Sequence, residues 1–165
     1  MTAMFTSLRY PSPKQNWIWS QRRRNIKPSE IAEELNVSRP FISKEQRIAE
    51  ARIKKLIQHA ASTNRIRINK MSTRYGIATG YCAASQTDTY ILYSPSIGLQ
   101  TWYAHKGDCD GCGDYPKCEA TLTTLAKEWD IPIPSDLAPT DLAILLFETI
   151  MRRLKWHDVK NRGGK

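Results

Sequence analysis

The stretch from Lys27 to Ala60 constrains the fold of this chain most, because it predicts two helices joined by one tight turn. Pro28 suits the first turn of a helix, and apolar residues recur after it at helical spacing. Asn36 then stands where the backbone must become left-handed, a conformation that asparagine tolerates. Ser38 is a good N-cap for the second helix. The apolar positions of the first helix are Ile31, Ala32 and Leu35.

The second helix carries a polar, basic side. Two short helices joined by a tight turn, the second with such a side, form the helix-turn-helix pattern. Residues near the start of the second helix then meet base edges, while later ones meet phosphates. Arg39 has the two-pronged donor geometry that suits guanine. The candidate DNA-binding residues of this helix are Ser38, Arg39, Pro40, Ser43, Lys44 and Arg47.

The segment EIAEELNVSRPFIS resembles the helix-turn-helix of many prokaryotic regulators, with Ala32 at the helix crossing. Its continuation, SKEQRIAEARIKKL, is similar to the four-helix version found in sigma region 4, LuxR-type and archaeal Tfx-type proteins. The resemblance covers roughly residues 16–60. It implies a transcriptional regulator that binds double-stranded DNA.

Basic residues are concentrated in the half of the chain that carries this pattern. Residues 1–75 hold 16 Lys and Arg against 5 Asp and Glu, whereas residues 76–165 hold 9 against 11. Lys and Arg neutralise phosphates and so drive association with nucleic acid. The basic excess therefore lies where a DNA-binding protein needs it, although a solvated basic surface without a partner is the alternative.

The segment before the pattern predicts a flexible arm and a first helix. Residues 1–15 contain prolines and little periodicity, which is typical of an arm. Asn16 can cap the first helix, and two tryptophans follow it. We place the DNA-binding domain at residues 16–62. Its further candidate contacts, to the DNA backbone, are Arg22, Arg23 and Lys27, and Arg24 belongs to the same arginine cluster, for which a solvated helix end is the alternative.

The second helix continues without Gly or Pro through Ala61. Its apolar residues fall at steps of four and three, as in a coiled-coil seam. Two interpretations are open: a contact between two chains, or a contact with the second half of the same chain. We favour a homodimer, because it would match a two-fold operator. The seam residues are Ala49, Ile53, Leu56 and Ala60, widened by Ile57.

The composition changes at Gly76, after which basic residues thin out and aromatic and β-branched residues increase. The preceding residues alternate charged and apolar groups, which fits a short strand, a linker or a wing-like hairpin. The expected fold class is α+β, with an all-α N-terminal part and a small antiparallel-sheet domain with two C-terminal helices. The expected divisions are a linker at 63–75, strands at 77–84, 89–93 and 100–104, helices at 119–129 and 139–155, a domain at 76–158 and a tail at 159–165.

Three cysteines lie within ten residues of one another in the second half. Cys109 and Cys112 are separated by two residues, a spacing that points two thiolates at one metal ion, and Gly113 fits the turn that follows. No secretory signal is visible at the start of the sequence, which favours a cytoplasmic protein and disfavours a disulfide framework. Cys118 supplies a third ligand. The segment therefore predicts a metal site.

The fourth ligand has two candidates. His105 would complete a compact Cys₃His zinc site, and we favour zinc because CDGCG is typical of a zinc knuckle. Cys82 would give four cysteines, which suit zinc or a 4Fe–4S cluster. The spacing of the four cysteines resembles that of WhiB-type iron–sulfur regulators, which implies redox sensing. Cys82 also fits an ordinary buried core position.

These features together predict a sequence-specific DNA-binding transcriptional regulator. Its metal-bound C-terminal domain would sense a signal or stabilise the dimer. The alternative is a structural or adaptor protein that binds nucleic acid loosely and uses zinc only to hold its fold. No phosphate-binding glycine loop, nucleophile motif or paired carboxylate setting stands out, so we expect no enzyme. No run of about 18 apolar residues is present, so no membrane span is expected.

Overall fold

The computed structural model describes residues 8–156 and divides the chain into two compact units, 1–104 and 105–165. The fold is α+β: within the described residues it contains five helices and a four-stranded antiparallel sheet. Among those helices, none combines the length and the hydropathy needed to cross a bilayer. The elements in chain order are α1 (Pro13–Arg23), α2 (Pro28–Leu35), α3 (Arg39–Thr63), β1 (Ile66–Ser72), β2 (Ile77–Cys82), β3 (Thr87–Ser94), β4 (Gly98–Tyr103), α4 (Tyr115–Glu128) and α5 (Pro139–Leu154).

Helix α1 begins earlier than the sequence analysis expected. Ser12, not Asn16, is its N-cap: the Ser12 hydroxyl accepts from the backbone N–H of Gln15, and the Gln15 side chain accepts from the N–H of Ser12. This reciprocal pair is a capping box, and Pro13 at the first helical position strengthens it. The flexible arm predicted at 1–15 is therefore wrong for its last four residues, and residues 1–7 lie outside the described part of the chain.

Helices α1, α2 and α3 share a small apolar core. Ile18, Ile31 and Ile42 are fully buried there, one from each helix, and Ala32 lies beside them. The small side chain of Ala32 allows α2 and α3 to approach closely at their crossing. This core fixes the angle at which the start of α3 projects from the unit.

The apolar seam of α3 packs against the sheet of its own chain. Ala49, Ile53, Leu56 and Ile57 are buried in one cluster with strand residues such as Ile91. The seam residues thus contact the same chain, which is the second of the two interpretations given above. Trp19 of α1 also lies in this cluster, whereas Trp17 packs on the helical core, so the two tryptophans face different cores.

The sheet has strand order β1-β2-β3-β4, with every neighbouring pair antiparallel. Residues 66–72, for which a strand was one of three interpretations, form β1 at its edge. The change of composition at Gly76 falls inside the β1–β2 turn, so it does not separate two folded bodies. The sheet belongs instead to the same compact unit as α1–α3.

The second unit contains α4 and α5. Leu122, Leu125 and Ala126 of α4 are buried, as are Leu142 and Leu146 of α5. Helix α4 begins at Tyr115, four residues before the expected start; Asp114 stands at the N-cap position without a side-chain cap hydrogen bond, and Pro116 suits the first turn. Cys118 therefore lies on a helix rather than in a loop. The tail predicted at 159–165 and the end of the domain predicted at 76–158 lie outside the described residues.

Candidate nucleic-acid interface and cysteine segment

The turn between α2 and α3 has the backbone that its sequence predicts. Asn36 adopts a left-handed conformation, with φ 53° and ψ 51°. The N–H of Val37 then donates to the carbonyl of Ala32 at 3.0 Å, which closes the end of α2. One residue later the Ser38 hydroxyl accepts from the N–H of Phe41 at 3.2 Å and caps α3. Two helices are thus joined by Asn36, Val37 and Ser38 alone.

All six candidate residues at the start of α3 are exposed. Ile42 on the opposite side is fully buried in the helical core, so the helix is anchored while its other side faces solvent. Arg39, Ser43 and Arg47 follow one another at steps of four and so lie on one face. The exposed residues are Ser38, Arg39, Pro40, Ser43, Lys44 and Arg47.

Buried polar contacts hold α1 and α3 together behind this surface. The Gln15 amide is 6% exposed and donates to a Glu45 carboxylate oxygen at 2.9 Å. The side-chain Oε1 of Gln15 accepts from the Arg52 guanidinium at 2.8 Å. Glu45 and Arg52, which lie seven residues apart on α3, are therefore both bonded to the start of α1.

Arg22 and Arg23 serve the fold of the first unit. The Arg22 guanidinium donates to the Gln46 side chain at 3.1 Å and to the carbonyl of Ile26 at 2.7 Å. Arg23 is 7% exposed, and its guanidinium carbon lies 5.0 Å from the centre of the Trp19 ring. Because both cations are engaged inside the unit, we remove them from the candidate DNA contacts. Lys27, the third backbone candidate, is exposed at the N-cap of α2.

The structure adds a cation that the sequence analysis did not single out. Arg74, in the β1–β2 turn, donates from Nη2 to the Asn25 side chain at 2.9 Å, in the turn between α1 and α2. Arg24 beside that contact is exposed. No local pattern relates positions 25 and 74, so only the tertiary structure could bring these residues together.

Cys109, Cys112 and Cys118 occupy one short segment of the second unit. The N–H of Cys112 donates to the carbonyl of Cys109 at 3.1 Å, so the Cys-x2-Cys stretch forms a turn. Cys118 follows on the first turn of α4, its N–H donating to the carbonyl of Asp114 at 2.9 Å. Burial raises the pKa of the Cys118 thiol, and Asp114 and the thiols of Cys112 and Cys109 raise it further. The three thiols therefore lie within electrostatic range of one another.

Cys109 is also linked to helix α5. Its Sγ lies 3.4 Å from the hydroxyl of Thr140, a residue that is 9% exposed. Both residues line a cleft of about 340 Å³, together with Asp108, Asp110 and Asp141 among others. The cysteine segment is thus anchored within its own unit.

The two candidates for a fourth ligand occupy different settings. His105 is exposed at the start of the second unit. Cys82 is 3% exposed in the core between α3 and the sheet, and its thiol donates to the carbonyl of Asn64 at 3.7 Å. The structure accounts for Cys82 as a core residue of the first unit. All four cysteines are unbridged thiols.

Within residues 8–156, no three His, Cys, Asp or Glu side chains converge closely enough, as they stand, to share one ion. The donor chemistry nevertheless suits zinc, because three thiols lie on one segment of ten residues. Zinc binding commonly orders its own loop, so ligands that lie near one another can be drawn together by the ion.

Three comparisons were made with known proteins. No family model matches the chain, and neither a curated protein nor a solved structure matches it.

Proposed function

We propose that this protein is a sequence-specific DNA-binding transcriptional regulator whose first unit places the start of α3 in the major groove. One observation supports this proposal above the others. The helix-turn-helix backbone is formed by Asn36 and Ser38, and every polar candidate on the outer side of α3 is exposed while Ile42 anchors the inner side. A helix held in this way can enter a groove without unfolding its own core.

The residues of this surface suit different parts of a duplex. Arg39 and Ser43 lie on the first turns of α3, where side chains reach base edges, and an arginine can pair in two-pronged fashion with guanine. Lys44 and Arg47 lie further along the exposed side and suit phosphates. Lys27 at the start of α2 suits the backbone beside the groove. Together they combine base recognition with phosphate neutralisation.

The test begins with selection of preferred sequences from random duplexes, followed by fluorescence anisotropy with the selected duplex and with a scrambled one. We expect Arg39→Ala to weaken binding to the selected duplex by about 10-fold to 100-fold, the value of one good base contact, and to leave the unfolding midpoint unchanged. Lys127→Ala, at an exposed position of α4, is the matched control. Unchanged affinity of Arg39→Ala would contradict the groove assignment.

The same binding measurements distinguish a regulator from the alternative, a structural or adaptor protein. A structural or adaptor protein that binds nucleic acid loosely would give comparable affinities for the selected and the scrambled duplex. A regulator would instead show a ratio of about 1,000 or more between them. The exposed residues on the first two turns of α3 favour the regulator, because a purely electrostatic surface does not require a short polar side chain such as Ser43 among its cations.

We further propose that Cys109, Cys112 and Cys118 bind zinc with His105 as the fourth ligand. The proximity of the three thiols and the turn at Cys109–Cys112 support this set. When bound, zinc would hold the start of α4 to the segment before it and stabilise the second unit. A 4Fe–4S cluster is the alternative, and its fourth cysteine, Cys82, would have to leave the core of the first unit.

Metal analysis and an absorption spectrum of the purified protein test this second proposal. We expect one zinc per chain and no visible absorption, whereas a cluster would give a brown protein that bleaches in air. Cys112→Ser should lose the metal, because a hydroxyl is a much poorer zinc ligand than a thiolate. Cys82→Ala serves as the control, and full metal content in Cys112→Ser would remove that residue from the ligand set.

A homodimer also stays a prediction. The seam of α3 that suggested it packs on the sheet of the same chain, so a dimer would have to use another surface. Sedimentation equilibrium with and without the selected duplex would establish the number of chains bound.

A further inference from the structure

The β1–β2 turn, residues 73–76, packs against α1 and α3. The Trp19 indole N–H donates to the carbonyl of Thr73 at 3.0 Å. Gly76, with φ +67°, lies against the same ring, and a Cβ there would come within 2.7 Å of a Trp19 ring carbon. The Thr73 hydroxyl donates to Glu50 of α3 at 3.5 Å. A turn of the sheet is thereby held in place beside the helix-turn-helix.

This docking brings a cation from the sheet to the start of α2. Arg74 donates to the side chain of Asn25, and its guanidinium carbon lies 5.7 Å from the centre of the Tyr75 ring. Asn25 stands between Arg24 and Lys27, which are both exposed. We call Arg24, Lys27 and Arg74 the basic corner. Its three cations come from two segments that are about fifty residues apart in sequence.

Two carboxylates accompany the basic corner among the described residues, one on α3 and one on α2. Glu50 lies on the inner side, where it interacts with Arg74 and Arg22. Glu30 is exposed in the first turn of α2. The residues named here thus carry four cations, the three of the corner and Arg22, against two carboxylates.

We propose that the basic corner is a second phosphate-binding element, which contacts the duplex backbone next to the groove that α3 enters. In a helix-turn-helix the helix before the recognition helix crosses the sugar–phosphate backbone, so a corner at its start meets phosphates. The Nε of Arg74 is buried, so its two Nη groups are the ones that would make a two-pronged phosphate contact. This inference rests on the proposed function, and it gives the sheet a direct role in binding DNA.

The experiment uses the full chain with both the selected duplex and random-sequence duplex DNA over a series of salt concentrations. We expect Arg74→Gln to weaken binding about equally for all sequences, by roughly 3-fold to 10-fold, and to reduce the slope of log affinity against log salt by about 1. Arg24→Gln should behave alike, while Arg74→Lys should keep the salt slope because its charge is kept, but should recover only part of the affinity because lysine cannot make the two-pronged contact. Arg152→Gln, an exposed arginine in α5, is the matched control and should change nothing.

Each outcome decides between the two proposals. If the unaltered chain binds no duplex, the proposed function and the basic corner both fail. If Arg39→Ala loses sequence preference while Arg74→Gln and Arg24→Gln keep full affinity and slope, only the basic corner is overturned. Weakening confined to the selected sequence, with an unchanged slope, would also overturn it. If Arg74→Gln proves unstable in a melting curve, Arg24→Gln decides the matter, since it leaves the Arg74–Asn25 contact in place.

Discussion

At the scale of single residues, contacts with distant parts of the chain decide what a side chain does. Asn16 was expected to cap α1, yet its side chain lies one turn inside the helix, where it donates to the carbonyl of Pro95 and accepts from the hydroxyl of Tyr93. Tyr93 lies in β3 and Pro95 in the turn after it, both almost eighty residues away from Asn16. The capping function belongs to Ser12, and the Ser-x-x-Gln spacing from Ser12 to Gln15 is the local signal that could have shown it.

Glu50 makes the stability of the fold depend on pH. Burial raises its pKa above the ordinary value of 4.5, although the hydrogen bond from Thr73 and the charges of Arg74 and Arg22 lower it. A raised carboxyl pKa favours the protonated form in the folded state, so its contribution to stability is fully present below pH 4.5 and is lost as the pH rises above that value.

We therefore expect Glu50→Gln to be slightly more stable than the unaltered protein at neutral pH, by no more than about 0.5 kcal/mol because the side chain is only half-buried. The difference should vanish when the pH falls below about 4.5. Urea unfolding at several pH values measures it, with Glu148→Gln on α5 as the control. A stability advantage that grows towards low pH would contradict the assignment.

At the scale of elements, α3 is the helix on which the first unit is built. Its first turns carry the exposed polar surface and the helical core, and its middle and end pack on the sheet. One continuous helix of 25 residues can do this because it contains no glycine, and its only proline lies in its first turn. A change in the sheet can therefore reach the exposed start of α3 through a single continuous helix.

The intramolecular seam predicts the effect of a core deletion. Ile53 is fully buried between α3 and the sheet, so Ile53→Ala should lower the free energy of unfolding by about 2–5 kcal/mol, at any protein concentration. Lys54→Ala, at the exposed neighbouring position, should cost less than about 0.5 kcal/mol. Urea unfolding at two protein concentrations gives both values. If Ile53→Ala instead kept its stability but split a dimer, the seam would be a contact between chains.

At the scale of the whole molecule, charge separates the two halves of the chain. The net charge of +9 is the sum of +11 over residues 1–75, which include α2 and α3, and −2 over residues 76–165. An uneven charge of this kind orients an approaching polyanion towards one half before specific contacts form. The basic corner and the start of α3 would then engage it together.

This charge predicts a steep salt dependence. With about four phosphates neutralised, affinity for random-sequence duplex should fall roughly 100-fold between about 50 and about 200 mM salt. Fluorescence anisotropy over a salt series measures the slope. A nearly flat dependence would show that phosphate neutralisation does not drive binding, and it would contradict the interpretation of the basic half.

The local features of this protein could be predicted from its sequence. The left-handed Asn36, the Ser38 cap and the start of α5 at Pro139 depend on residues within one or two turns, and local sterics and capping act over that distance. The α+β class follows from hydrophobic periodicity in the same way. Long-range relations could not be predicted in this way. Only the folded chain showed that Gly76 does not divide two domains, that the α3 seam packs on the sheet, and that Arg22 and Arg23 contact residues of their own unit.

By itself, the sequence determined that α2 and α3 meet at a tight turn, that α3 begins with an exposed basic side, and that three thiols share one short segment. Only the tertiary structure decided that α3 packs on its own sheet, that Cys82 is a core residue, and that Arg74 lies beside Asn25. The physical reason is that caps, turns and periodicity depend on neighbouring residues. Burial depends instead on which distant surface excludes water, and no local pattern specifies that surface.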